Sequence, residues 1–162
     1  MTGATIRPAN QADLAAVSLL AGELVRMHHA ADPTRFFLTE RVEDGYAWWL
    51  GRELERTEAR VLVAERDGKL VGYAYGALEE RDWQRLLDEH GAVHDIFVAE
   101  AERKSGTGRA LLLALVEELE TLGATRIVLT TLVGNARAQQ LFRSIGFRPT
   151  LLEMTRDRPK PP

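Results

Sequence analysis

Apolar residues recur every three to four positions in several stretches of the chain, and this spacing predicts helices. The first such stretch follows Asn10, a residue that caps helix N-termini well. Its apolar positions are Leu14, Val17, Ala21 and Leu24. A later stretch keeps the same period at Leu112, Leu115, Val116, Leu119 and Leu122. Two further helices are predicted over Glu43–Glu55 and over Asn135–Ser144, the second ending before Gly146.

Short β-branched or alternating runs between these helices predict strands. Asp67 and Gly68 separate Val61–Glu65 from Lys69–Leu78, which indicates a hairpin. The other predicted strands are Thr5–Arg7, Ala92–Val98, Arg126–Val133, which reads as buried, and Leu151–Thr155. The polar stretch Glu79–Gly91 is predicted to be a loop or a short helix. An antiparallel first half followed by a strand–helix–strand crossover predicts an α/β fold with a mixed central sheet flanked by helices.

The length of 162 residues suits one domain, which we place at residues 1–155, followed by a proline-bearing flexible tail at 156–162. The charges, 21 Lys plus Arg against 24 Asp plus Glu, leave a net charge of -3 and no basic stripe, which argues against nucleic-acid binding. Because cysteine is absent, a disulfide framework, a thiolate metal site and a cysteine nucleophile are excluded. We expect neither a signal peptide nor a membrane span, and therefore a cytoplasmic location.

A glycine-bearing turn between a predicted strand and a predicted helix is the first candidate for chemistry. It reads Arg103, Lys104, Ser105, Gly106, Thr107, Gly108, Arg109. Backbone N–H groups in such a turn, next to the positive end of a helix dipole, bind phosphate oxygens. The alternative is a turn with no ligand, and the turn alone does not decide between them. The glycine spacing fits neither a Walker loop nor a Rossmann loop.

A second segment follows the next predicted strand and favours the ligand-binding interpretation of the turn. It holds Asn135, Ala136, Leu141, Phe142, Gly146 and Phe147. Together the two segments resemble the two signature regions of the GNAT acetyltransferase superfamily. The resemblance is close over residues 92–148, and the order of elements agrees over nearly the whole chain.

The resemblance implies a sheet that opens between the strands at 92–98 and 126–133, with acetyl-CoA as co-substrate in the opening and no metal. The pantetheine would pair with the backbone of Ile96, Phe97 and Val98. The pyrophosphate would lie on the amides from Lys104 to Arg109, near the positive charge of Arg103. Asn135 would touch the pantetheine, cap its helix, or do both. The implied acceptor is a small-molecule amine, and homodimers are common in the family, although no interface is identifiable here.

Phe142 departs from the pattern, because many family members carry a tyrosine there that protonates the leaving thiolate. Tyr73 and Tyr75 could supply a hydroxyl instead, or could simply pack in the core. His94 stands where some relatives place a glutamate base, so it is either the catalytic base or a structural residue. On a regular strand Asp95 would point to the opposite face from His94.

These residues support direct transfer of an acetyl group from acetyl-CoA to a primary amine in a ternary complex. Two alternatives stay open. One is an acyl-CoA sensor without turnover, which Phe142 favours, and the other is an enzyme that modifies protein N-termini or lysines. A closed pocket built from Phe36, Phe37 and Trp48 or Trp49 would indicate a small acceptor.

Overall fold

The computed structural model describes residues 3–159, which contain four α-helices and five strands. The helices are α1 (Leu14–Ala31), α2 (Val42–Glu53), α3 (Thr107–Thr121) and α4 (Ala136–Ser144). The strands are β1 (Thr5–Pro8), β2 (Ala59–Arg66), β3 (Lys69–Glu79), β4 (His90–Val98) and β5 (Ile127–Leu129). Among these described residues, no helix is long and apolar enough to cross a bilayer.

The five strands form one sheet in chain order, β1-β2-β3-β4-β5. The first three pairings are antiparallel, and β4 pairs with β5 in parallel through the α3 crossover. The predicted hairpin is confirmed, since Arg66 pairs with Lys69 across a turn in which Asp67 and Gly68 have φ of 50° and 73°. The mixed α/β architecture is therefore the predicted one.

Each face of the sheet carries its own apolar core. On one face α1 and α2 pack through Val17 and Leu50 against Tyr73, Tyr75 and Phe97. On the other face α3 and α4 bury Leu111, Leu112, Leu115, Leu119 and Phe142. Asn10 acts as a helix cap, as expected, and its Oδ1 accepts from Ala12 N at 2.9 Å. The helix that it caps is a short 3-10 turn (Gln11–Asp13) that precedes α1.

A β-bulge in β4 shapes the sheet at the position where the site is expected. Tyr75 pairs with Asp95 while Gly76 pairs with Val93, so His94 is an extra residue in β4. The β4–β5 ladder covers only Gly91–Val93 and Ile127–Leu129. Bulges bend a strand and locally increase its twist, so β4 turns away from β5 beyond this point. The predicted opening between these strands is present.

Two predicted strands differ from the structure. The strand predicted over Arg126–Val133 covers only Ile127–Leu129, because β4 diverges and leaves the later residues without a partner. It is half-buried and not buried as predicted. The strand predicted over Leu151–Thr155 does not form, and its Leu151 and Met154 are 77% and 86% exposed. This segment is instead tied to the α1–α2 connection, where Arg35 pairs with Glu153.

Two smaller differences concern the ends of elements. β3 runs to Glu79 and β4 starts at His90, so the predicted loop Glu79–Gly91 is shorter at both ends. The second helix begins at Val42 and ends at Glu53, two residues earlier than predicted. In the tail, residues 156–159 have no regular structure, and residues 160–162 lie outside the described part of the chain.

Candidate active site

The glycine turn between β4 and α3 adopts left-handed backbone conformations at two positions. Lys104 and Gly106 have φ of 69° and 86°, and α3 starts at Thr107. A Cβ built on Gly106 would meet no atom within 4 Å, and one built on Gly108 would meet Leu141 and Val98 at 3.7 Å. Packing therefore does not exclude a side chain from either position. The space beside Gly106, at the positive end of the α3 dipole, is open to a ligand.

Side chains within the turn hold its own backbone. Ser105 Oγ donates to the Glu102 carbonyl at 2.7 Å and lies 2.8 Å from Thr107 Oγ1. Arg103 Nε donates to the Val98 carbonyl at 3.0 Å, and its guanidinium lies 5.4 Å from the centre of the Phe97 ring. The turn is thus fixed to the end of β4, which brings the predicted pantetheine and pyrophosphate positions together on one edge.

The second signature segment lies on α4, beside this turn. Asn135 Oδ1 accepts from Ala138 N at 3.1 Å, so its predicted capping role is present. Arg109 of α3 reaches α4 and donates to Ser144 Oγ at 3.0 Å. Phe142 is 6% exposed, with its ring centre 6.2 Å from that of Phe147. The position that many relatives fill with tyrosine is therefore part of the core here.

His94 lies on the bulge, where β4 begins to leave β5. Its imidazole stacks on the Tyr75 ring at 5.1 Å with an interplanar angle of 21°. Nε2 is 2.9 Å from Glu79 Oε1, and the His94 side chain is 38% exposed. An open cleft of about 610 Å³ reaches His94 from the loop that contains Glu80, Trp83 and Arg85. An imidazole with one nitrogen paired to a carboxylate and open access to solvent is suited to proton transfer.

Asp95 does not point to the face opposite His94, as a regular strand would require. Its Oδ2 accepts from the Tyr73 hydroxyl at 2.9 Å, and Tyr73 belongs to the same core face as Tyr75, on which His94 stacks. The bulge breaks the two-residue alternation and puts both residues on the α1–α2 side. Burial raises the pKa of Asp95 above its ordinary value, and the hydrogen bond from Tyr73 opposes that shift.

The two core tyrosines have hydroxyls that already donate to carboxylates. Tyr75 donates to Glu53 Oε2 at 2.5 Å, and Arg56 Nη1 donates to the same oxygen at 2.8 Å. Burial raises the pKa of both Tyr73 and Tyr75, so these groups are weaker acids than a free phenol. Both side chains are core residues, at 0% and 2% exposed, and neither hydroxyl is available to replace the one that Phe142 lacks.

Sequence reasoning missed the carboxylates Glu53 and Glu79. Glu79 could have been found, because it shares the two-residue period of Tyr73 and Tyr75 along β3 and so belongs to their face. Glu53 could not, since its place depends on how α2 packs on the sheet. Of the predicted pocket residues, Trp49 packs edge-on against Tyr75 at 4.9 Å, whereas Phe37 and Trp48 are 81% and 66% exposed. The aromatic pocket is therefore only partly formed.

Comparison with known proteins bears on this arrangement of turn, bulge and opened sheet. The profile of the Acetyltransferase (GNAT) family matches residues 23–147. The chain belongs to this family. It is 32% identical to the L-methionine sulfoximine/L-methionine sulfone acetyltransferase of Salmonella typhimurium over 150 residues, 90% of this chain and 81% of that protein. An N-alpha-acetyltransferase of Sulfurisphaera tokodaii is 35% identical over 100 residues, 59% of this chain and 60% of that protein.

Solved structures show the same fold at lower identity. A mutant of the BH1408 protein from Bacillus halodurans superimposes with a TM-score of 0.81 at 21% identity, covering 95% of this chain and 99% of that one. The aminoglycoside N-acetyltransferase AAC(6')-Iy in complex with CoA gives a TM-score of 0.76 at 19% identity, with 97% of each chain covered. Family and relatives together show a GNAT-type N-acetyltransferase, as predicted, and support acetyl-CoA as its co-substrate. Among residues 3–159, no group of three or more His, Asp or Glu side chains could hold a metal ion.

Proposed function

We propose that this enzyme transfers the acetyl group of acetyl-CoA directly to the amine of a small molecule in a ternary complex, with His94 as the base. The observation that carries the proposal is the β4 bulge. It places the partly exposed His94 imidazole at the mouth of the opening between β4 and β5. A base at that point can reach an amine that approaches a thioester held in the opening.

The CoA portion is assigned to the edge of β4 and the turn that follows it. Ile96, Phe97 and Val98 lie beyond the β4–β5 ladder, so an extended pantetheine arm has backbone to pair with. The amides between Lys104 and Arg109 lie at the N-terminus of α3, where a pyrophosphate is favoured by the helix dipole. Asn135, the N-cap of α4, and Phe142 within α4 complete the proposed set.

The chemistry needs a base because alkyl amines are protonated at neutral pH. Removing the proton from an alkyl ammonium of pKa about 10.4 costs about 4.6 kcal/mol at pH 7, and removing it from the α-ammonium of an amino acid derivative costs less because its pKa is lower. His94 accepts that proton in the proposal. Loss of the tyrosine at position 142 is tolerated, because releasing a thiol of pKa about 8.5 as thiolate costs only about 2 kcal/mol at pH 7. A covalent cysteine intermediate is excluded by the absence of cysteine.

The acceptor is proposed to be an amino acid derivative or an amine of similar size. The cleft beside His94 carries Glu80 and Asp82 together with Arg81 and Arg85, so it presents charges of both signs. Such a lining suits a zwitterion, which has an ammonium and a carboxylate. Relatives named for L-methionine sulfoximine and L-methionine sulfone, similar over nine-tenths of this chain, support the same choice.

The test is release of CoA thiol from acetyl-CoA with separate acceptor pools: methionine sulfone and sulfoximine, other amino acids, polyamines, aminoglycosides and short peptides. CoA release should require the amino acid derivatives. Double-reciprocal plots of initial rate against acetyl-CoA concentration, measured at several acceptor concentrations, should intersect. Parallel lines would indicate an acetyl-enzyme intermediate and would refute direct transfer. Release only with peptides would favour an Nα-acetyltransferase of proteins, the second candidate, which the relative from Sulfurisphaera tokodaii supports.

A further inference from the structure

Glu79 lies beside His94 at the end of β3 and has no place in the mechanism described so far. Its Oε1 is 2.9 Å from His94 Nε2, and the two side chains are 34% and 38% exposed. We infer that Glu79 is a positioning residue, which fixes the tautomer and orientation of the His94 imidazole for proton transfer. This inference rests on the proposed function, because it assigns a partner to the proposed base.

The contact with Glu79 decides which imidazole nitrogen carries the proton. An ionised carboxylate only accepts hydrogen bonds, so the neutral imidazole must carry its hydrogen on Nε2. The lone pair then lies on Nδ1, the nitrogen that can take a proton from the acceptor. Stacking on Tyr75 at 5.1 Å fixes the plane of the ring, and Glu79 fixes its rotation within that plane. Together the two contacts hold Nδ1 in one direction.

The step itself balances simply. The acceptor ammonium loses one proton as its N–H bond breaks, and His94 Nδ1 gains that proton as a new N–H bond forms. The nitrogen lone pair freed in this way forms a C–N bond at the thioester carbonyl. The C–S bond then breaks and CoA leaves as thiolate, while the second proton of the nitrogen passes to that thiolate or to water. The imidazolium that results carries a positive charge, which the Glu79 carboxylate stabilises through the shared hydrogen bond. Because His94 and Glu79 are both partly exposed, the extra proton passes to water afterwards.

The neighbouring carboxylates are committed to other partners. Asp95 Oδ2 accepts from the Tyr73 hydroxyl, and Glu53 Oε2 accepts from both Tyr75 and Arg56. Among residues 3–159, Glu79 is the one whose side chain hydrogen bonds the His94 ring. The orienting role therefore falls to Glu79.

The experiment compares Glu79→Gln, His94→Ala and the double variant, with Glu118→Gln as matched control. Glu118 also loses an ion pair, with Arg60 at 2.8 Å, and its side chain is 40% exposed, but it belongs to α3 on the other face of the sheet. We expect Glu79→Gln to lower kcat by ~10- to 100-fold, the range found when carboxylates that orient metal-bound histidines are removed. The KM for acetyl-CoA should stay unchanged, and Glu118→Gln should behave as wild type.

The double variant separates positioning from other roles. If Glu79 acts through His94, Glu79→Gln causes no further loss in the His94→Ala background. If Glu79→Gln lowers kcat by the same factor in the His94→Ala background as in the wild type, the inference is overturned, because Glu79 would then act on the acceptor by itself. A normal kcat in Glu79→Gln beside a low kcat in His94→Ala would also overturn it, while leaving the proposed base intact. A normal kcat in His94→Ala would instead refute the base.

Imidazole ¹⁵N–¹H correlation spectra read the tautomer without any acceptor. In the wild-type protein with a neutral imidazole, the proton of His94 should be on Nε2, and Glu79→Gln should give a mixture of tautomers. A proton on Nδ1 in the wild type would refute the inference. This reading does not depend on finding the substrate, so it distinguishes failure of the inference from failure of the proposed function.

Discussion

Gly106 provides a sharp test of whether the turn before α3 binds a pyrophosphate or is only a turn. Its φ of 86° is left-handed, and a Cβ there would meet no atom within 4 Å. Gly68, in the β2–β3 hairpin, has φ of 73° and is equally open. The two glycines thus present the same backbone problem, one beside the proposed ligand and the other in a hairpin outside the proposed site.

The change is Gly106→Ala, with Gly68→Ala as its control. A left-handed conformation costs an alanine ~1–2 kcal/mol, and no steric clash adds to this cost at either position. For a chain of this size each kcal/mol lowers Tm by roughly 2–4 °C, so both variants should melt roughly 2–8 °C below wild type. Only at Gly106 would the added methyl keep phosphate oxygens from the amides. Losing one hydrogen bond to a charged group costs ~1.5–3 kcal/mol, or ~10- to 150-fold in affinity.

The assay pairs thermal unfolding with titration of CoA, followed by calorimetry or by KM for acetyl-CoA. The two variants should lose similar stability, but Gly106→Ala should weaken CoA binding by at least tenfold whereas Gly68→Ala should bind CoA normally. Equal stability losses with unchanged CoA binding in both variants would refute the reasoning. The glycine at 106 would then serve the turn alone.

Two further predictions concern the scaffold. Asp13→Asn should destabilise the fold by ~1–2 kcal/mol in urea, because Asp13 accepts from Arg7 Nη1 and Nη2 at 2.8 and 2.9 Å. The hydrogen bond from Arg7 lowers the pKa of Asp13 below its ordinary value of 3.8. The difference in unfolding free energy between wild type and variant should therefore be complete above about pH 5 and should shrink as the pH falls through the folded-state pKa. A difference independent of pH would contradict this explanation. Gly76→Ala should cost ~1–3 kcal/mol, since its Cβ would lie 2.6 Å from the Ala92 carbonyl oxygen beside the bulge. Gly45→Ala, in open space on α2, should be neutral or stabilising in the same unfolding assay, and equal losses in both would show that the close contact is not the cause.

Local pattern was sufficient for most elements of this chain. Helical spacing predicted α1, α3 and α4, and Asp67 with Gly68 predicted the hairpin, because these signals depend only on near neighbours in sequence. The two signature segments likewise identified the family. The reaction type, acetyl transfer, followed from the motifs, and the absence of cysteine excluded a cysteine nucleophile.

Tertiary structure decided the length of the strands and the orientation of the site residues. Residues 130–133 and Leu151–Thr155 have strand-like composition but find no partner, since a strand exists only where another lies alongside it. Asp95 and His94 share a face because one extra residue in β4 cancels the alternation that sequence assumes. The contacts of His94 with Glu79 and Tyr75 join residues 15 or more apart in the chain, and only the pairing of β3 with β4 brings them together.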